Sequence, residues 1–300
     1  MHLSSLFTVS AAIGVVHGYA NVQVSQLMLK NIDPIVSPGK YESHMHTFFG
    51  SDAITKNVTT SKELQAGCTT VKNPNDLSAY WIPTLYHVAG TEMHPITPAL
   101  FSVYYENIEA AEIPIPQNYH AVIGNPSGKS QFDVPAGSGA KWFCEGDKAN
   151  EYQQSTGFPT HTCSSNLQFL LYFHDCVDTV SLKSAYSKGG RCAGNMKRMP
   201  RLRYSVRYNL KRIMPNGWSG APPLKLACGS SYCAHGDFIN GWVEDAARNM
   251  LKSRGQHSLV PVDGSRGKQG ARPNCKPVDR DPKGGTSDYK IAAQQGEAHH

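Results

Sequence analysis

What most restricts this chain is its punctuation. From Asn21 to about Gly255 the apolar runs are short, and Gly, Pro or Asn interrupts them about every ten residues. Packed antiparallel strands have that rhythm, whereas long helices do not. With 27 Gly and 19 Pro against 17% charged residues, a coiled coil or a helical bundle is disfavoured. The 300 residues would fill two ordinary domains, but one all-β domain also reaches that length.

The expected fold is therefore mainly β, a β-sandwich or jelly-roll-like body, with α+β as the other option. Candidate strands are 80–88, 101–106, 167–173 and 201–208. In the last of these, Leu202, Tyr204, Val206 and Tyr208 alternate with Arg201, Arg203, Ser205 and Arg207. A period of two makes a half-buried strand with a basic outer face. One segment has a different period: Phe238, Ile239, Trp242, Val243, Ala246, Ala247, Met250 and Leu251 recur in pairs every fourth residue. That pattern predicts an amphipathic helix over 238–254, with Asp237 as its N-cap and Gly255 as its stop.

Eight cysteines give the compartment its weight, since an even number pairs readily only where the surroundings are oxidising. Residues 3–16 form an apolar run broken only by small or hydroxyl residues, and Gly18 and Ala20 follow it as small residues. We read 1–20 as a secretory signal peptide, although its start lacks Lys and Arg; a buried first strand or helix is the plainer alternative. No later stretch is apolar for long enough to span a bilayer. Export would let the cysteines form up to four disulfides, in about 105 possible pairings. None sits in a CxxC pair, which disfavours a zinc ribbon. Asn57-Val58-Thr59 is a glycosylation sequon.

The domain plan is thus a leader at 1–20, a strand-rich body at 21–262 and a disordered tail at 263–300. The tail has almost no large apolar residue before Tyr289, and its one expected anchor is Cys275. The net charge of +6 is spread along the chain, which disfavours nucleic acid as a partner.

Two histidine motifs carry the chemistry. In Ser43-His44-Met45-His46, an extended backbone would put both imidazoles on one face. In His235-Gly236-Asp237-Phe238-Ile239-Asn240-Gly241-Trp242, a helix start would favour a neutral His235, with Asp237 capping. Paired neutral imidazoles suit proton abstraction or metal ligation, and they also serve simply to hold loops together.

Those motifs resemble, in order, the secreted fungal and bacterial family DUF1996. The resemblance rests on Ile32-Asp33-Pro34-Ile35-Val36-Ser37-Pro38-Gly39, Ser43-His44-Met45-His46, Phe49-Gly50, Cys68-Thr69-Thr70, Leu77-Ser78-Ala79-Tyr80-Trp81-Ile82-Pro83-Thr84-Leu85-Tyr86 and the block from His235 to Trp242. It implies an extracellular protein, and the sugar-binding modules fused to some members imply an extracellular or cell-wall polysaccharide as partner. The chain departs from the family where an Asp-His-Lys-Ser-His segment is usual. Here Leu182-Lys183-Ser184-Ala185-Tyr186 follows His174-Asp175-Cys176-Val177-Asp178, and Val243 replaces a usual Asp. That departure implies a divergent or inactive member of the family.

Three functions compete. The first is a polysaccharide lyase or hydrolase with His44, His46, His235 and Asp237 as catalytic residues and Tyr80, Trp81, Asn240 and Trp242 binding the sugar. The second is a non-catalytic carbohydrate- or wall-binding protein using the Arg201, Arg203 and Arg207 face. The third makes His44, His46 and His235 ligands for copper or zinc. Sequence alone assigns no cofactor.

Overall fold

The computed structural model describes residues 18–147, 157–252 and 261–288. Its strands run, in chain order, β1 Tyr19–Val24, β2 Gln26–Lys30, β3 His46–Gly50, β4 Ala79–Pro83, β5 Leu85–Ala89, β6 Glu92–Pro95, β7 Leu100–Glu106 and β8 His120–Gly124. They continue with β9 Lys141–Cys144, β10 Leu167–Tyr172, β11 Cys176–Val177, β12 Ser184–Ala185, β13 Lys197–Arg198, β14 Arg201–Tyr208, β15 Leu224–Leu226 and β16 His235–Ile239. Two short helices are α1, Ser61–Gln65, and α2, Glu244–Lys252.

The alternating segment forms β14 as its period demands, with Leu202, Tyr204, Val206 and Tyr208 buried and its three arginines half-buried. The expected strand at 80–88 is instead two. Pro83 cannot donate to a ladder, and the chain changes sheet around Thr84.

Two five-stranded antiparallel sheets make the sandwich. The first has the order β1-β7-β14-β10-β9, the second β2-β3-β4-β16-β8. Val22, Phe101, Tyr204 and Leu171 from the first sheet meet Phe49, Tyr80, Ile82 and Phe238 from the second in one core. The second sheet is covered on its other face too. There Met28, Phe48, Ala79, Trp81 and Ile239 pack under Ile32 of the β2–β3 connection and under Ile54, Val58 and Leu64 of the segment leading into and through α1. A Thr60–Glu63 capping box starts that helix.

Burial of the second sheet on both faces explains a correction. Among the described residues the expected helix over 238–254 is helical over Glu244–Lys252 and Asp237 is not its N-cap, while the expected stop at Gly255 lies outside the described residues. Residues 235–239 are a central strand, every one of them buried. Phe238 enters the core between the sheets while Ile239 enters the outer layer. A strand buried on both faces has no polar alternation, so its apolar pair mimicked a helical stripe. Gly236 fits here because a Cβ would stand 2.7 Å from the Leu171 and Tyr204 side chains of the facing sheet.

All eight cysteines are paired, as Cys68–Cys275, Cys144–Cys163, Cys176–Cys192 and Cys228–Cys233. The described part of the segment expected to be disordered, 263–288, is laid on the body together with residues 261–262 that precede it. Cys275 pins it, Val262 is fully buried, Arg280 reaches Asp52 at 2.7 Å, and Asp279 lies 3.0 Å from the buried Lys30 ammonium. Composition hid this because the anchors are charged groups and a disulfide, not apolar side chains. At the other end, Tyr19 and Ala20 of the expected leader belong to β1, and 1–17 lie outside the described residues. Four disulfides are compatible with export, and no helix among the described residues is long and apolar enough to cross a membrane.

Candidate functional site

Strand register brings the two histidine motifs together. His46 opens β3 opposite Pro83 of β4, and Asp237 of β16 lies opposite Trp81 of the same strand. His46, Phe48, Trp81, His235 and Asp237 therefore share the outer face of the second sheet. Ring centroids of His44 and His46 are 4.2 Å apart, and those of His44 and His235 are 5.1 Å apart.

The backbone fixes how two of these rings are protonated. Nδ1 of His46 lies 3.0 Å from the Ile32 carbonyl oxygen, and Nδ1 of His235 lies 2.7 Å from that of Cys233. A carbonyl only accepts, so in each ring Nδ1 carries the hydrogen and donates it. The lone pair of each neutral ring is then on Nε2. These two nitrogens stand 3.4 Å apart, and Nε2 of His235 is 3.6 Å from Oδ2 of Asp237. Neither carboxylate oxygen of Asp237 makes a hydrogen bond among the described residues. Burial pushes this carboxyl well above the usual carboxylate range, and the nearby Asp33 pushes the same way. Asp33 itself accepts the Ile35 and Val36 N–H groups at 3.0 Å each.

The cluster is closed. His44 is 6% exposed, His46 0%, His235 1% and Asp237 0%. An acid or base must come within hydrogen-bond reach of its substrate, and a polymer does not reach these atoms in this arrangement. The residues expected to bind sugar are framework, because rings without exposed surface cannot stack on a ligand. Tyr80, Trp81, Asn240 and Trp242 are all at most 1% exposed. The Tyr80 hydroxyl donates to Asp76 at 2.5 Å and lies 2.6 Å from that of Tyr105, which also accepts Trp242 Nε1–H at 2.8 Å. Asn240 donates to the carbonyls of Ile115 and Pro116, while Trp81 stacks on Phe48. His174 bonds Ser184 at 2.8 Å and packs on Tyr186.

A second surface was only partly legible in the sequence. On the outer face of the first sheet, Tyr104, Arg203 and Tyr172 lie side by side in register on β7, β14 and β10. The Arg203 guanidinium sits 3.9 Å from the Tyr104 ring centroid and 5.8 Å from that of Tyr172. Arg201 extends the row over Tyr172 and Tyr186, and Tyr19 flanks Tyr104. The basic face expected there is largely neutralised. Arg203 pairs with Glu106 at 2.5 Å and Arg207 with Glu145 at 2.9 Å. Strand 201–208 announced the arginines; their aromatic and acidic neighbours follow only from cross-strand register.

No curated protein and no solved structure matches the chain. A family model does match, over residues 33–242, a span that holds both histidine motifs and ends before α2. The chain belongs to the family described as a domain of unknown function, DUF1996.

Proposed function

We propose that this is an exported protein that binds extracellular or cell-wall polysaccharide, with sugar rings lying along the Tyr19, Tyr104, Tyr172 and Tyr186 row. The row is the observation that carries the reading. Three of the tyrosines stand on the outer face of the first sheet and Tyr186, beside β12 of a small separate sheet, joins them through Arg201, and each of the four is only half-buried. Tyrosine offers a sugar both an apolar face and a hydroxyl. Because Arg203 and Arg207 are already paired with carboxylates, stacking on neutral glycans is favoured over attraction of anionic ones. Export fits the four disulfides. Asn57 of the sequon is exposed, as a glycan acceptor must be.

The burial of His44, His46, His235 and Asp237 supports binding over catalysis. Affinity electrophoresis through neutral and anionic wall polymers tests the reading. Retention by neutral polymers should fall about tenfold in a Tyr104→Ala, Tyr172→Ala double variant and should change little with salt. Retention that survives the double variant would refute it, and so would release of reducing ends or unsaturated uronates that His46→Ala abolishes.

A further inference from the structure

We propose that His46 Nε2, His235 Nε2 and a carboxylate oxygen of Asp237 together bind one Zn²⁺ ion, held between the second sheet and the layer that covers it. The site is independent of the glycan-binding face, and either can fail alone.

The first argument is distance. Ligand atoms about 2.0–2.1 Å from a tetrahedral Zn²⁺ stand about 3.4 Å from one another. The two imidazole nitrogens are 3.4 Å apart, the nearer carboxylate oxygen is 3.6 Å from one of them, and one ligand atom from each of the three residues fits within 4.8 Å of the others. A square-planar or octahedral centre would bring adjacent donors to about 3.0 Å.

The second is protonation. With both Nδ1 atoms donating to backbone carbonyls, Nε2 is the nitrogen each ring can offer a metal, and the two Nε2 atoms face each other across 3.4 Å. Backbone carbonyls holding Nδ1–H are also the usual outer partners of zinc-bound histidines, because they fix the ring and strengthen Nε2 as a donor. Charge agrees. Two carboxylates, Asp237 and the neighbouring Asp33, are buried here, and a dication offsets both.

The third is the chemistry of the donors. Two nitrogens and one oxygen suit Zn²⁺ and are a poor match for Ca²⁺ or Mg²⁺, which prefer all-oxygen shells. Two other groupings have ligand atoms as close, His44 with Cys228 and His235, and Cys144 with Asp147 and His161. Both need a thiolate from a cysteine held in a disulfide. His44 packs on His46 with ring centroids 4.2 Å apart but offers no nitrogen to this grouping, which leaves the fourth position of the tetrahedron to a ligand from outside the three residues. A site this closed is structural. It ties β3 to β16 across β4 and, through the Ile32 carbonyl, to the covering layer.

The test is elemental analysis of the full disulfide-bonded chain, secreted into medium containing Zn²⁺ and purified without chelator. About one Zn²⁺ per chain is expected, falling to less than about a tenth of that in folded Asp237→Asn and His235→Ala. The exposed His120 is outside the cluster, so His120→Ala should keep its zinc. A guard against variants that fail to fold is the wild-type chain secreted in Co²⁺ medium, which should show the intense visible bands of four-coordinate nitrogen and oxygen ligation. Only trace metal in the wild type would overturn the proposal, as would zinc retained by folded Asp237→Asn and His235→Ala or a weak octahedral cobalt spectrum.

Discussion

Two fully buried aspartates serve the same sheet in opposite ways. Asp76 lies among its own donors: Tyr80 O–H at 2.5 Å and Ser78 N–H at 3.0 Å, with Tyr105 and Trp242 extending the network. Asp237, on the opposite face, has no hydrogen bond to either oxygen among the described residues and looks onto two imidazole nitrogens. A carboxylate supplied with donors is framework, whereas one facing imidazole nitrogens takes a proton or a cation. Alternate residues of the same strands supply both environments, Tyr80 and Phe238 inward, Trp81 and Asp237 outward.

The largest effect that separates the two comes from truncation. Asp76→Ala strands the Tyr80 hydroxyl and the Ser78 N–H, and urea unfolding should show a loss of about 2–4 kcal/mol with or without Zn²⁺. Asp237→Asn should destabilise the zinc-loaded protein but leave the metal-free protein unchanged or more stable, since it removes a carboxyl whose charged form burial already disfavours. Equal losses from Asp237→Asn in both conditions would break the comparison.

Next comes pH. Burial pushes the Asp76 carboxyl from 3.8 up to about 6, against the pull of its hydrogen bonds with Tyr80 and Ser78. Between those values the folded chain keeps a proton that the unfolded chain has released. The Asp76 contribution to stability is thus fullest below 3.8 and is lost as pH rises to about 6. Unfolding midpoints measured across that range should show this decline flatten in Asp76→Asn. The smallest effect belongs to the sheet surface. Arg207→Ala breaks a partly exposed pair with Glu145 and should cost about 0.5 kcal/mol or less by chemical unfolding.

How much of this was legible in the sequence depended on burial. Strand 201–208 could be read because one face meets the core and the other does not. Phe238 and Ile239, the last residues of strand His235–Ile239, read as the start of a helix because both faces of the strand are buried. The two histidine motifs stood out as residues, and nothing local told that Pro83 lies between them in register or that backbone carbonyls set their tautomers. Tyr80, Trp81, Asn240 and Trp242 looked like a sugar platform because aromatic residues mark cores and binding faces alike. The surface row of tyrosines is assembled from four separate segments, which no spacing in the chain reveals.

The most direct test of the central claim is nitrogen-15 NMR of the imidazoles, with and without zinc. The account expects neutral rings at His46 and His235, hydrogen on Nδ1 in both, and Nε2 resonances that move on zinc loading. A doubly protonated ring at either position, or Nε2 resonances indifferent to zinc, would contradict it.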